Sequence, residues 1–319
     1  MTFIHKAVNW NREDDDFTQL FWEQNVKQFW LPEEVPISKD LKSWSNLNED
    51  EKKLYKKVLG GLTLLDTKQG NNGIPSMMSL TEDLQRKAVL SFMGTMEEIH
   101  AKSYSSIFTT LLSNAEIDEL FEWIETEPTL QNKAEIVLRQ YENTTDRKSL
   151  YLSMVTSVFL ESFLFYSGFF YPLYLAGQGK MVASGEIISL ILRDESLHGK
   201  YIGLLGQEIY NSLEVYEQEE VTKEMYKILH ELMENEENYT RLIYKGTNLS
   251  DEVINFLKYN ANQALENLDF PKYYEVNPVN PIVLNGLSTE TKTHDFFSTK
   301  GNGYQKGVYE ELEDSDFIF

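Results

Sequence analysis

Apolar residues recur at spacings of three and four along almost the whole chain, which is the pattern of amphipathic α-helices. No alternating run bounded by turn residues indicates a β-strand. The pattern predicts helices near 14–29, 49–70, 82–113, 115–126, 129–144, 148–175, 185–212, 214–245 and 250–266. Asn48 with Glu51, and Ser79 with Glu82, have the spacing of capping boxes. The sequence therefore predicts an all-α protein.

One apolar stretch, residues 158–175 (VFLESFLFYSGFFYPLYL), is nearly long enough to span a membrane. It carries Glu161 near its start and Pro172 near its end. Because a carboxylate inside a bilayer is costly, we expect a buried core helix and no membrane partner. Residues 1–10 lack the charged and apolar regions of a signal peptide, so we expect a cytoplasmic protein.

Composition narrows the function classes. The chain has 319 residues, 41% of them hydrophobic, and a formal net charge of −22. So acidic a protein is a poor partner for nucleic acid, whose phosphates require lysine and arginine patches. The chain has no cysteine, which excludes disulfides, thiolate zinc sites and iron–sulfur clusters. Any metal must be held by carboxylate and imidazole groups.

The character of the chain changes after Leu268, where prolines, a Gly301-Asn302-Gly303 segment and an acidic end replace the helical pattern. We expect one helical domain over residues 1–285 and a flexible tail over residues 286–319. A disordered solubilising tail is one interpretation. The apolar residues at its end, 317–319, favour a short peptide that binds a partner.

Two histidines stand three residues after a glutamate, in the pairs Glu97 with His100 and Glu195 with His198. Residues at this spacing share one face of a helix, so both side chains of a pair can reach one point. Each pair also lies within a stripe of apolar residues that continues on both sides of it. We therefore expect both pairs to face the core.

Two further carboxylates, Asp66 and Glu161, interrupt apolar helix faces. An unpaired buried carboxylate costs several kcal/mol, so four of them require neutralisation. A network of salt bridges and protonated acids is one solution. A dinuclear metal site in a four-helix bundle of the ferritin-like kind, with additional helices around it, is the other, and the whole set favours it. Oxygen and imidazole ligands suit iron or manganese, and the sequence leaves the choice between them open.

A tyrosine, Tyr104, lies one helical turn after His100 on the same apolar stripe. It is either a phenol that serves the metal site or a core tyrosine hydrogen-bonded to Asp66. Phe165, Phe169 and Ile191 are spaced to face the same interior, where they would exclude water.

The sequence resembles the small, radical-generating subunit of class Ib ribonucleotide reductase over essentially its whole length. The resemblance is carried by QFWLPE (28–33), GLTLLDT (61–67), MEEIHAKSYS (96–105), SVFLESFLFY (157–166), RDESLHG (193–199), HDFFS (294–298) and GNGY (301–304).

The resemblance implies a role for each matching residue. The first metal would be bound by Asp66, Glu97 and His100, and the second by Glu161, Glu195 and His198, with Glu97 and Glu195 as bridges. Tyr104 would hold a stable tyrosyl radical. Trp30, Asp194 and His100 would form an internal relay, with Asp194 hydrogen-bonded to His100. Tyr304, in the tail, would pass the oxidising equivalent to the large subunit.

The resemblance also implies the reaction and the partners. The reaction is reduction of ribonucleoside diphosphates to deoxyribonucleotides, with this chain supplying the oxidant. The chain would form a homodimer, dock to the large subunit through its last residues, and receive oxidant from a flavodoxin-like protein when it uses manganese. A ligand-binding di-metal oxidase, a ferritin-type iron store and a purely structural bundle are the alternatives. The oxidase would need an open substrate pocket at the metals and would have no use for Trp30, Tyr304 and a docking tail. The iron store predicts a hollow shell of many subunits, and failure to retain any metal would favour the structural bundle.

Overall fold

The computed structural model describes residues 5–12 and 15–287. Within them the chain forms helices and no β-strand, which confirms the all-α prediction. The α-helices are α1 (Thr18–Gln28), α2 (Leu41–Asn46), α3 (Glu49–Lys68), α4 (Ile74–Leu80), α5 (Leu84–Leu111), α6 (Asn114–Thr126), α7 (Pro128–Glu142), α8 (Arg147–Phe159), α9 (Tyr166–Ala176), α10 (Val182–Asn211), α11 (Val215–Ile243), α12 (Ser250–Asn267) and α13 (Pro281–Leu287).

The predicted tail, Tyr304 included, lies outside the described residues from position 288 onward. The two residues before that point belong to α13, which packs on α9. A Cβ atom at Gly286 would lie 2.1 Å from the carbonyl oxygen of Leu173, so glycine permits this close contact. The boundary between domain and tail stays a prediction.

One of the two predicted capping boxes is present. Asn48 Oδ1 accepts a hydrogen bond from Glu51 N at 3.0 Å, and Glu51 Oε2 accepts one from Asn48 N at 2.8 Å. The prediction for Ser79 is wrong, because Ser79 lies inside α4 and donates its hydroxyl to the carbonyl of Ser76. Asp83 caps α5 instead, accepting from Arg86 N at 2.7 Å.

A first π-helical turn, Gln69–Gly73, follows α3 at the end of the predicted helix 49–70, and a second, Leu160–Leu164, interrupts the predicted helix 148–175 between α8 and α9. Such turns are rare and occur frequently at functional sites. Arg147–Ala176, which contains the second turn, is long and apolar enough to span a membrane. However, 89% of its most apolar window is buried inside the protein. This burial agrees with the predicted core helix.

The centre of the fold is a bundle of α3, α5, α10 and the segment formed by α8 and α9. Helix α10 packs against α8 and α9, while α3 packs against α5 and α9. The other helices lie around this bundle, and their apolar faces join the same hydrophobic core. The four elements therefore turn one side of each toward a common interior.

Candidate metal centre

The structure brings the six predicted metal-binding residues together in the middle of the bundle. Helix α3 supplies Asp66, α5 supplies Glu97 and His100, the second π turn supplies Glu161, and α10 supplies Glu195 and His198. All six side chains are fully buried. Their ligand atoms form two groups, each within 4.8 Å: Asp66, Glu97, His100 and Glu195; and Glu97, Glu161, Glu195 and His198. Two carboxylates, Glu97 and Glu195, belong to both groups.

In the first group the imidazole of His100 faces three carboxylates through Nδ1. This atom lies 2.9 Å from Glu195 Oε1, 3.4 Å from Asp66 Oδ1 and 3.7 Å from Glu97 Oε2. One ring nitrogen is thus directed at the centre of the group, and the other is free to contact the surrounding protein.

The second group repeats the arrangement with His198. Its Nδ1 lies 2.9 Å from Glu97 Oε1, 3.2 Å from Glu195 Oε2 and 3.7 Å from Glu161 Oε2. The two imidazole rings stack with their centroids 6.1 Å apart. Glu97 and Glu195 each direct one oxygen at each histidine, as expected of carboxylates shared between two cations.

The unpaired atoms of the cluster test whether metal ions fit it. Both oxygens of Asp66 and of Glu97, Glu161 Oε2, Glu195 Oε1 and His100 Nδ1 are buried without a hydrogen-bond partner. Buried polar atoms are almost always satisfied in proteins. Oxygen and imidazole donors converging on two points therefore fit two cations that prefer oxygen and nitrogen ligands.

Electrostatics lead to the same conclusion. Burial raises the pKa of Asp66 and of Glu161 well above the usual carboxyl range. For both histidines burial alone would lower the pKa, but the facing carboxylates raise it well above normal. Burial opposes ionisation of Glu195 too, yet the charge of His100 lowers its pKa. The metal-free cluster thus offsets its negative charge with protons, which bound cations would replace.

The outer nitrogen of His100 is held by the hydrogen bond that the resemblance implies. Asp194 Oδ2 lies 3.2 Å from His100 Nε2 and accepts from Trp30 Nε1 at 2.7 Å. The Trp30 and His100 rings stack with centroids 6.1 Å apart. Gln28 donates to Asp194 Oδ1 at 2.7 Å. Sequence reasoning did not single out Gln28, although it lies in the QFWLPE segment.

Tyr104 is completely buried one turn after His100. Its hydroxyl interacts with Asp66, which agrees both with a phenol that serves the metal site and with a core tyrosine bonded to Asp66. Burial, followed by the charge of Asp66, raises the pKa of Tyr104 and keeps the phenol protonated. Phe165, Phe169 and Ile191 are also completely buried, as predicted.

Beside the second group lies a cavity of about 590 Å³. Its lining includes the chain neighbours of three predicted ligands: Ser162 after Glu161, Ser196 after Glu195, and Leu197 before His198. Lys200, Asn267 and Tyr166 contribute polar groups to the same lining. The second half of the cluster thus lies close to a space that can admit a small molecule.

Comparisons with known proteins match this architecture. The family model described as "Ribonucleotide reductase, small chain" matches residues 7–281. The chain is 54% identical to the ribonucleoside-diphosphate reductase subunit beta of Bacillus subtilis, covering all of this chain and 98% of that protein. It is 42% identical to the Escherichia coli ribonucleoside-diphosphate reductase 2 subunit beta, over 98% of both chains.

A solved structure shows the same fold. It is described as the crystal structure of Streptococcus sanguinis dimanganese(II)-NrdF, and it is 47% identical to this chain with a TM-score of 0.86. The match covers 89% of this chain and all of that one, which confirms the ferritin-like helical prediction and fits the class Ib resemblance. With its full-length relatives and its paired carboxylate–histidine cluster, the chain belongs to the family of ribonucleotide reductase small chains, the beta subunits of an oxidoreductase.

Proposed function

We propose that this chain binds two manganese or iron ions, stores an oxidising equivalent as a radical on Tyr104, and delivers it to a large subunit that reduces ribonucleoside diphosphates. The observation that carries the proposal is the pair of buried ligand groups that share Glu97 and Glu195. Membership of the family implies the large-subunit partner and a dimer of this chain.

The ligand assignment follows the two groups. Asp66, Glu97 and His100 would hold the first metal and Glu161, Glu195 and His198 the second, and Glu97 and Glu195 would be shared between them. The shared position of the last two between both histidines supports this assignment. The dimanganese(II) state named for the Streptococcus sanguinis protein supports manganese as one occupant.

When bound, and once an external oxidant has oxidised them, the metal ions would accept the electron that a phenol gives up. Tyr104 provides that phenol, and its buried hydroxyl must give up a proton as the electron leaves. Asp66, which interacts with Tyr104 and would be ionised with a metal bound, is the base we assign. The buried rings of Phe165 and Phe169 keep water and reductants away from the radical.

Transfer out of the core uses the hydrogen-bonded series His100, Asp194 and Trp30. Asp194 accepts from Trp30 and faces His100, so it fixes the orientation of both rings. From Trp30 the oxidising equivalent passes to Tyr304 in the tail, whose last residues, 317–319, dock to the large subunit. The role of Asp194 as a positioning group is supported by its second bond, from Gln28.

A flavodoxin-like protein is the proposed source of oxidant for the manganese form. The cavity lined by the chain neighbours of Glu161, Glu195 and His198 supports this step, because a small oxidant bound there would lie next to the segments that hold the second metal. The same cavity favours the second candidate, a di-metal oxidase that binds an organic substrate. The Trp30–Asp194–His100 series has no part in such an oxidase. For the reductase we propose a cytoplasmic location.

The test combines metal analysis, electron paramagnetic resonance and turnover. Protein purified from its native host should contain two metals per chain and show a tyrosyl signal. It should reduce ribonucleoside diphosphates only with the large subunit. A variant ending at Ser298 should keep metals and radical but lose turnover. Oxidation of an organic substrate without the large subunit would support the oxidase instead.

A further inference from the structure

A glutamine that sequence reasoning missed contacts the second half of the metal centre. Gln69 is the first residue of the π turn that follows α3, three positions after Asp66. It is completely buried, and its amide nitrogen lies within hydrogen-bond distance of Glu161 Oε1 and Ser157 Oγ. Its amide oxygen accepts a hydrogen bond from the hydroxyl of Tyr141, on α7, at 2.7 Å. Residues of α7, α8 and the second π turn thus all contact the side-chain amide of Gln69.

The chemistry of the partners fixes the direction of these bonds. With a metal bound, Glu161 would be ionised and could only accept, which sets the NH₂ group of Gln69 toward Glu161, as in this structure. The amide oxygen then faces Tyr141, whose hydroxyl can donate to it. Burial, followed by the charge of Glu161, raises the pKa of Tyr141, so this hydroxyl stays a donor. A hydrogen bond to a charged group is worth more than one between neutral groups.

A glycine makes room for the contact. A Cβ atom at Gly73, the last residue of the same π turn, would lie 2.3 Å from Gln69 Oε1 and 2.9 Å from the Tyr141 ring. Any larger residue would therefore displace either the amide or the phenol. The π turn and its glycine together allow Tyr141 to reach Gln69.

Asp66 and Glu161, the two carboxylates that each belong to only one ligand group, differ in the contacts that hold them. Asp66 has its polar neighbours within the cluster and Tyr104, with Oδ1 3.4 Å from His100 Nδ1. In Glu161, Oε2 lies 3.7 Å from His198 Nδ1, on the side of the metal centre. Glu161 Oε1 is held on the other side by Gln69. Glu161 is therefore the carboxylate that an amide holds from the protein side.

We propose that Gln69 is a positioning residue for Glu161, and that Tyr141 holds Gln69 in place, so that Glu161 presents Oε2 alone to the second metal. The inference rests on the proposed dinuclear centre. It predicts that loss of either partner changes the environment and affinity of one metal more than of the other.

The experiment compares three variants loaded with manganese(II). Tyr141→Phe removes one hydroxyl and leaves the ring in place. Gln69→Leu removes the amide. Tyr151→Phe is the matched control, because Tyr151 is also buried and its hydroxyl, among the residues that the structure describes, has a hydrogen bond only to Met225 Sδ, at 3.9 Å. The readouts are stepwise manganese affinity, the electron paramagnetic resonance spectrum of the dimanganese(II) form, and thermal unfolding of the metal-free protein.

We expect Gln69→Leu to weaken one manganese about 10- to 100-fold, the usual effect of removing a group that supports a metal ligand. Tyr141→Phe acts one bond further out and should weaken the same manganese about 2- to 10-fold, the range of a single hydrogen bond. Both should alter the spectrum, and Tyr151→Phe should not. Altered spectra in folded Tyr141→Phe protein support the inference even if Gln69→Leu fails to fold.

If Tyr141→Phe binds two manganese ions with the affinities and the spectrum of the wild type, the inference is wrong and the proposed function still holds. Equal changes in Tyr141→Phe and Tyr151→Phe would also overturn it, since they would reflect general packing. Failure of the wild-type chain to bind two metals would overturn the proposed function itself, and the inference with it.

Discussion

A buried ion pair outside the six-residue cluster allows the electrostatics of the bundle to be tested separately. Lys133 on α7 and Glu236 on α11 are both buried, with Lys133 Nζ 2.5 Å from Glu236 Oε2. Ser167 on α9 donates its hydroxyl to Glu236 Oε1. Lys133 Nζ also lies 3.9 Å from the centroid of the Tyr239 ring. The pair therefore joins three helices through charged side chains that water does not reach.

The magnitude follows from this distance. At an effective dielectric constant of about 20, unit charges 2.5 Å apart attract by roughly 7 kcal/mol. Removing each ion from water costs several kcal/mol, so the pair as a whole contributes little net stability. Burial accordingly lowers the pKa of Lys133, although the charge of Glu236 opposes this. Lys133→Met should cost about 3–5 kcal/mol, because Glu236 then stays buried without its cation.

The assay is urea unfolding of the metal-free protein at neutral pH, followed by circular dichroism. Lys133→Met and Glu236→Leu are measured singly and together as a double-mutant cycle. Each single variant should lose about 3–5 kcal/mol of unfolding free energy, and the double variant should lie within about 1 kcal/mol of wild type. Single losses below about 1 kcal/mol, or a double variant as unstable as the sum of the two, would refute the reasoning.

Three further predictions concern the metal centre and the buried tyrosines. Tyr104→Phe should keep the fold and both metals but show no tyrosyl resonance after oxidation; a persistent signal would assign the radical to another tyrosine. Glu161→Ala should weaken one metal more than the other, whereas Glu97→Ala should weaken both. Native affinity for two metals in Glu161→Ala would contradict the ligand assignment. Burial raises the pKa of Tyr55 and Tyr151 in the folded protein, while unfolded phenols ionise near pH 10. Their contribution to stability is therefore complete below about pH 10 and is lost as the pH rises above it. Urea unfolding across this range, with phenolate absorbance, checks the direction, and constant stability would contradict it.

Much of the fold and the site could be predicted because the deciding interactions are local. Apolar spacing defines the long helices, and a glutamate three residues before a histidine shares its helix face whatever the helix packs against. The Asn48 capping box is equally local. The acidic residues on apolar faces, Asp66 and Glu161, indicated a buried cluster because an isolated buried carboxylate is too costly.

Tertiary packing decided which residues of different helices contact one another, which the spacing within one helix does not show. It selected Glu97 and Glu195 as the carboxylates that face both histidines, and it joined Gln28 to Asp194 across 166 positions of the chain. It also placed Gln69 against Glu161, 92 positions away. The periodicity of one helix shows which side is buried but not which residue of another helix lies opposite.

The positions of the π turns also depend on tertiary packing. A π turn departs from the regular helix geometry that local periodicity describes. The apolar pattern continues unchanged through the turn at Leu160–Leu164, whereas it ends at the glycine- and asparagine-rich turn at Gln69–Gly73. The turn at Leu160–Leu164 packs on α10 and α12, and the turn at Gln69–Gly73 lies where Gln69 contacts α7 and α8. The sequence by itself therefore determined the helices and the chemical groups they carry. The contacts between helices determined which atoms of those groups face one another, because that depends on packing between segments distant in the chain.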